Sequence, residues 1–266
     1  MIPQYSGPTV LHLGPLAFPV FGMLVAGGVL VGHALVLRLA GERRVPVAEM
    51  RNAAAWALGA GFFGAHLLDV LVYHPDKISR DGVLTLFKLW DGIASFGGFF
   101  GALAGLAFYF ARLGKPWWVH ADMLIQGLVV GWLFGRLGCT LTSDHLGHLT
   151  DFALGFAYPS GARHNLGFYE LLYTAVVLVP CILLMRSREA RSGYRPGMYV
   201  AVIAALYAPA RFFLDFLRAT DLAGADPRFH GLTGGQYASV AVLVLALWLL
   251  RRISLLPAVP GIGSSR

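Results

Sequence analysis

Residues 119–139 read "VHADMLIQGLVVGWLFGRLGC". A helix rises about 1.5 Å per residue, so a run of about 20 mostly apolar residues is enough to cross the hydrocarbon core of a bilayer. Gly127, Gly131 and Gly135 recur every fourth residue and fall on one helix face. A bare face of that kind suits close packing against a second helix in lipid. The run ends in a guanidinium, Arg136, and the next residues, "TLTSDHLGHLTD" (140–151), turn abruptly polar with Asp144, His145 and His148. The stretch therefore reads as a membrane-crossing helix that delivers one cation to a polar rim.

Outward from it, further apolar runs lie near 17–40, 52–73, 93–111, 167–185, 197–217 and 235–250. Of the 266 residues 57% are hydrophobic and only 13% charged, against roughly a quarter charged in a soluble domain. Mean hydropathy is +0.64. A helix satisfies its own backbone in lipid, so the expected fold is an all-α integral membrane protein of about seven transmembrane helices. It is expected to form a single polytopic domain over 1–266. Cys139 and Cys181 are too few and too far apart for a disulfide framework or a metal site.

The net charge of +7 sits largely in short connections between apolar runs. This points to an anionic lipid surface as partner and away from nucleic acid. Twelve Lys and Arg fall in 41–51, 112–118, 186–196 and the carboxyl-terminal tail, against five in the remaining connections. The positive-inside rule puts the twelve in the cytoplasm, with the amino terminus out and the carboxyl terminus in. The longest connections, 74–92, 140–166 and 219–234, then lie outside and form a small outward-facing head. The start, "MIPQYSGPTVLHLGPLAFPVFG", lacks the basic opening of a cleavable signal peptide.

Charge inside lipid is costly, so each such residue is a candidate site. In "YAPARFFLDFLR" (207–218), Tyr207, Arg211, Asp215 and Arg218 share one helix face. An Arg211–Asp215 pair that only holds helices together fits the same spacing. Arg136 admits plain snorkelling to the interface, although its end of the helix is the outer one. "RHNLGFYE" (163–170) brings Tyr169 and Glu170 to the start of the fifth span, where an acid is favoured by the helix dipole in any case. His66 with Asp69 reads as a satisfied buried or interfacial pair, and His120 with Asp122 as the cytoplasmic edge of a span. Two arginines from different helices reaching one cavity make an anion site, and guanidinium matches phosphate bidentately. This points to a phospholipid head group near the outer leaflet.

These residues resemble the bacterial phosphatidylglycerol–prolipoprotein diacylglyceryl transferases along nearly the whole chain. "GRLGCTLTSDHLG" (135–147) is similar to that family's GRxGNFxNxExxG, its most specific motif. "LWDGIASFGGFFG" (89–101) resembles GG-I/M-A/S-x-H-GG-x-x-G, "RHNLGFYE" resembles HPxQLYE, "YAPARFFLDFLRATD" (207–221) resembles YGxxRFxxExxRxPD, and "LTGGQYAS" (232–239) resembles LTxGQxxS. The resemblance implies transfer of a diacylglyceryl group from phosphatidylglycerol to the lipobox cysteine thiol of a prolipoprotein, in the bacterial inner membrane, without a metal or cofactor. It implies that Arg136 and Arg211 hold phosphate and glycerol, with Tyr207 beside them as the third catalytic residue. Asp144, Tyr169, Glu170, Asp215, Arg218, Gln236, Gly97 and Gly98 match positions around lipid and substrate.

Several matched positions differ. The family's histidine before the glycine pair, a proposed base for the thiol, is Phe96. The signature Asn is Cys139, the Gln of HPxQLYE is Gly167, an early tyrosine is Phe21, and an arginine of the second span is His66. The anion-binding groups remain while proton-transfer groups are missing. A thiol of pKa about 8.5 needs a base or a lowered pKa. His145, His148 and His164 are the candidate substitutes, each also readable as an ordinary loop histidine, and nearby arginines alone can lower a substrate thiol's pKa. Two functions stay open: an active divergent transferase, or a homologue that binds phospholipid or lipoprotein without transfer. A seven-helix pump is disfavoured, because no span lysine is available for a Schiff base.

Overall fold

The computed structural model describes residues 1–14, 16–88, 92, 95–115, 117–222 and 225–258, with residues 72, 73, 95 and 96 described by backbone alone. Three short strands open the chain: β1 (Ile2–Pro3), β2 (Val10–Leu13) and β3 (Leu16–Pro19). Helices α1 (Val20–Glu42), α2 (Val47–Leu68), the short α3 (Asp76–Asp81), α4 (Ser95–Leu113) and α5 (Trp118–Thr142) follow. Strands β4 (Leu146–Leu149), β5 (Phe156–Tyr158) and β6 (Gly161–Asn165) lead into α6 (Leu166–Tyr173), α7 (Val179–Ser192) and α8 (Met198–Leu214). Strands β7 (Arg228–Phe229) and β8 (Leu232–Thr233) precede the last helix, α9 (Gly234–Ser254).

Six helical stretches among the described residues are long and apolar enough to cross a membrane: Val20–Glu42, Val47–Leu71, Trp118–Thr142, Leu166–Ser192, Met198–Leu217 and Gly234–Ser254. Gly97–Leu113, within α4, is apolar but shorter. The chain thus has the expected all-α, multi-pass membrane architecture; against about seven expected spans, the described residues hold six helices of full crossing length and one shorter apolar helix. Leu30, Phe62, Phe100, Val176, Phe213 and Val244 stand exposed on these helices. Apolar exposure on that scale suits lipid as the solvent. The span Leu166–Ser192 is continuous but widens into a π turn over Thr174–Leu178, just before Pro180. Proline lacks the N–H for the i−4 carbonyl and its ring crowds that turn, which accounts for the widening.

The fold resolves into two compact units, Met1–Val36 with Asp122–Arg266, and Leu37–Ala121. In the first, α1 and α5 approach through glycine. A Cβ on Gly127 would lie 2.7 Å from the Gly32 carbonyl oxygen, and one on Gly28 would lie 2.8 Å from that of Gly131. Gly135, the third glycine of the expected packing face, would meet nothing within 4 Å. Asp122 accepts from Gly197 N (2.7 Å), Val200 N (2.9 Å) and Tyr194 OH (2.7 Å). It is a cap for α8, in line with the structural reading of that edge.

Segment 140–166 folds into most of a four-stranded sheet of order β1-β5-β6-β4, with β1 parallel to β5 and the remaining pairs antiparallel. Asn165 closes it. Its Oδ1 accepts from Phe168 N (3.0 Å) as the cap of α6, and its Nδ2 donates to Thr140 O (3.1 Å) and Tyr158 OH (3.0 Å). One fully buried amide thus fixes α6 against the end of α5 and the sheet.

In the second unit α2 packs on α4, again through small residues: Gly61 and Gly64 face Gly98 and Gly101, and Gly97 faces Gly64. His66 and Asp69 do not pair with each other. The His66 ring lies 3.1 Å from Gly92 O and 2.8 Å from Thr85 O, while Asp69 accepts from Lys77 Nζ (3.1 Å) and contacts His74 Nδ1 (3.2 Å). Each finds its own partners in the 74–92 connection, so both act as anchors for that loop.

Candidate active site

Within the first unit the sequence's separate polar signals converge on one carboxylate. Glu170, in the helix that Asn165 caps, is 2% exposed. Arg136 Nε of α5 lies 3.1 Å from its Oε2, and Arg211 Nη1 of α8 lies 3.8 Å from its Oε1. Tyr207 OH donates to Oε2 at 2.8 Å. The line continues along α8 and just past it. Arg211 Nη1 is 2.7 Å from Asp215 Oδ1, and Arg218 Nη1 is 3.7 Å from Asp215 Oδ1 and 2.6 Å from Asp226 Oδ2. Thr233, at the start of α9, donates its hydroxyl to Asp215 Oδ2. The result is a row of alternating sign, Arg136–Glu170–Arg211–Asp215–Arg218, held by α5, α6, α8 and α9.

Buried charge is tolerated only when paired, and the pairing explains the row. Its three guanidiniums meet three carboxylates, of which Glu170 and Asp215 are buried while Asp226, the partner of Arg218, is exposed. Around Glu170 itself two guanidiniums from different helices face one carboxylate, and guanidinium pairs well with phosphate oxygens. Arg136 also lies over the Trp132 ring, 4.3 Å from its centroid, and Trp132 meets Tyr207 edge-on at 6.0 Å. The indole limits how far the guanidinium can swing while adding a cation–π attraction of about 0.5–2 kcal/mol.

A comparison with protein families matches residues 8–252 to the prolipoprotein diacylglyceryl transferase model. The chain belongs to the prolipoprotein diacylglyceryl transferase family. Curated relatives carrying the name phosphatidylglycerol–prolipoprotein diacylglyceryl transferase include that of Agrobacterium fabrum, 26% identical over 92% of this chain and 91% of its own length. Those of Rhizobium leguminosarum bv. trifolii and Acinetobacter baumannii are each 28% identical, covering 92% and 91% of this chain and 91% of their own lengths.

Of the residues singled out from sequence, Arg136, Glu170, Tyr207, Arg211, Asp215 and Arg218 form the row of this family member. Glu170 is its hub, a larger role than acid at a helix start. Asp144 is exposed just past α5. Tyr169 points to the sheet side: its OH meets His164 Nδ1 (2.8 Å) and donates to Leu154 O (3.3 Å). Gln236 completes a capping box with Thr233 and donates to Phe212 O at 3.2 Å, so its amide is committed to holding α9 against α8. Gly97 and Gly98 belong to the second unit, in the α2–α4 contact. The Phe96 side chain lies outside the described residues.

Trp132, Thr233 and Asp226 were not singled out from sequence. The i−4 spacing of Trp132 from Arg136 was the available signal for the first. A second ion pair, Arg163 with Asp221, was also missed. Arg163 Nη1 reaches Asp221 Oδ1 (3.0 Å) and Gly147 O (3.1 Å), tying the sheet to the segment after α8.

Proposed function

We propose that the protein transfers the diacylglyceryl group of phosphatidylglycerol to the lipobox cysteine thiol of a prolipoprotein, at the outer face of the bacterial inner membrane. Family membership supports the reaction. The observation that carries the site is the Glu170 carboxylate holding Arg136 and Arg211 from two different helices. Glu170 positions both guanidiniums before any lipid arrives, and two guanidiniums set side by side suit the oxygens of one phosphate diester. In the reaction the thiolate sulfur forms a C–S bond to the glycerol carbon carrying the phosphate ester. The C–O bond breaks, and glycerol phosphate leaves with the electron pair. The leaving phosphate gains a negative charge, and preorganised cations are the means of stabilising charge that appears in a transition state. Arg136, Arg211 and Tyr207 are assigned to this task, and Asp215 and Arg218 to fixing Arg211. The excess of basic residues in 41–51, 112–118, 186–196 and the tail supports a cytoplasmic side opposite the sheet, and hence an outward site with the amino terminus out.

The test is transfer to a lipobox peptide in phosphatidylglycerol liposomes. The unaltered protein should lipidate the peptide, and Arg211→Ala should lower the rate by about 10²-fold or more, as loss of a group aimed at developing charge does. Full activity in Arg211→Ala would remove the site assignment.

A further inference from the structure

Thiol transfer releases a proton, and the carboxylates of the row, Glu170 and Asp215, are already engaged by its arginines. Three histidines stand near it in sequence, and the structure separates them. His145 follows the turn that ends α5, where Ser143 takes a left-handed φ of 56° and Asp144 N bonds back to Cys139 O at 3.3 Å. Its carbonyl accepts from Leu166 N, the first residue of α6, at 3.0 Å, and the next carbonyl, Leu146 O, accepts from Ala219 N at 3.2 Å. Gly147 is bridged to Arg218. The segments bearing Arg136, Glu170 and Arg218 therefore meet on residues 144–147.

The ring itself is set up for one role. Its Nδ1 lies 2.9 Å from Asp144 O. A carbonyl only accepts, so Nδ1 carries the hydrogen and Nε2 is left with its lone pair. Among the described residues Nε2 makes no hydrogen bond, and the residue is only part-buried, so its lone pair remains available as an acceptor. Burial, followed by the positive charges of Arg136 on α5 and Arg218 past α8, holds the ring below its ordinary 6.5. The Asp144 carbonyl and the Glu170 charge on α6 pull the other way and are outweighed. A ring neutral at pH 7 is a competent acceptor. The other two histidines lie away from the start of the 144–147 turn. His164 meets Tyr169 OH and sits against the Phe152 and Tyr169 rings on the sheet side, and its electrostatic neighbour is His148 rather than an arginine of the row. His148 lies within β4 and interacts with His164 and Asp221.

We propose that His145 Nε2 is the proton acceptor for the substrate thiol, in place of the histidine that is Phe96 in this chain. The inference rests on the transferase reading. As the thiol approaches, its proton passes to Nε2, and the sulfur takes the diacylglyceryl carbon as the C–O bond breaks. The imidazolium then returns the proton to the departing glycerol phosphate or to water. The Arg136 and Arg218 charges that keep the ring neutral also make the imidazolium short-lived.

The experiment follows kcat/KM against pH with phosphatidylglycerol liposomes and a lipobox peptide, for the unaltered protein and His145→Asn. Asparagine can keep a donor near Asp144 O but has no basic nitrogen. The unaltered protein should be flat from pH 7 to 8. The variant should fall by about 10²–10⁴-fold at pH 7, in kcat with KM for lipid little changed. It should then climb about tenfold per pH unit toward the thiol pKa of about 8.5. Added imidazole should restore part of the rate to His145→Gly. An active unaltered protein with a variant of equal rate, or of lower rate with the same flat profile, would overturn the base and leave the transferase standing. No transfer by the unaltered protein at any pH, with arginine-dependent lipid binding intact, would overturn both.

Discussion

Glu170→Gln isolates the hub of the site. The substitution keeps the shape and an acceptor for Tyr207 but removes the buried charge between two part-buried guanidiniums. At 3.1 Å and an effective dielectric of about 20, one such unit-charge contact amounts to about 5 kcal/mol, and at 3.8 Å to about 4 kcal/mol. Desolvation of the buried carboxylate and of the two part-buried guanidiniums offsets much of that gross attraction. What counts is the cost of leaving partners unpaired, about 3–5 kcal/mol for a buried pair. For a chain of this size, about 2–4 °C per kcal/mol converts the loss into a fall of roughly 6–20 °C in melting temperature. The assay is thermal unfolding in detergent followed by tryptophan fluorescence, with Trp132 lying directly on Arg136. A second arm adds phosphatidylglycerol. Its phosphate supplies the missing anion, so lipid should raise the melting temperature of Glu170→Gln more than that of the unaltered protein, by linkage to tighter binding. A fall under about 2 °C, or an equal lipid shift in both proteins, would refute the view that Glu170 is what makes two part-buried arginines tolerable.

Two further outcomes follow from the geometry. The Arg163 guanidinium holds the Asp221 carboxyl below its usual 3.8; a carboxyl depressed in the folded state contributes stability above its unfolded pKa and loses it as pH falls through the folded one. Proteolysis of the 218–228 segment should therefore rise on acidification below about pH 4, and Asp221→Asn should be equally cleavable at all pH values. Gly127→Ala, where a Cβ would press on the Gly32 carbonyl, should cost about 1–3 kcal/mol by overpacking, while Gly135→Ala, with open space, should stay within about 0.5 kcal/mol; equal melting temperatures for the two would show that α1 and α5 do not meet there.

The membrane spans were legible because lipid imposes long apolar runs that little else produces. The glycines at 127 and 131 were legible as a contact face for the same reason, since bare backbone in lipid is useful chiefly against another helix. The sheet was not. Its strands are short, and Ile2 pairs with Phe156, a partner that no local pattern announces. Arg136 and the Tyr207–Arg211–Asp215 stripe stood out because charge in an apolar helix is expensive. Glu170 was named as a candidate beside an equally good local explanation, an acid near a helix start, and its role as hub was not legible because its partners come from two other helices. Trp132 was silent because an aromatic residue in a span is ordinary until the guanidinium over it is seen.

Three of the five positions where the chain differs from the family motifs, Phe21, Cys139 and Gly167, gather at the end of α5, whereas His66 and Phe96 belong to the second unit. Cys139 and Gly167 touch: a Cβ on Gly167 would lie 2.9 Å from both Cys139 Cβ and Thr140 N. A glutamine there would push α6 off α5, and that spacing is what brings Glu170 to 3.1 Å from Arg136. The Phe21 ring lies against Gly138 on the same turn of α5, where a Cβ would meet it at 2.8 Å. Around the end of α5, polar side chains have thus given way to close contact, and the close contact maintains the charged row. What this exchange cannot supply is a proton acceptor. The same turn of chain, between the closing bond of Asp144 N to Cys139 O and the start of β4 at Leu146, holds His145, on whose ring the Arg136 and Arg218 charges act.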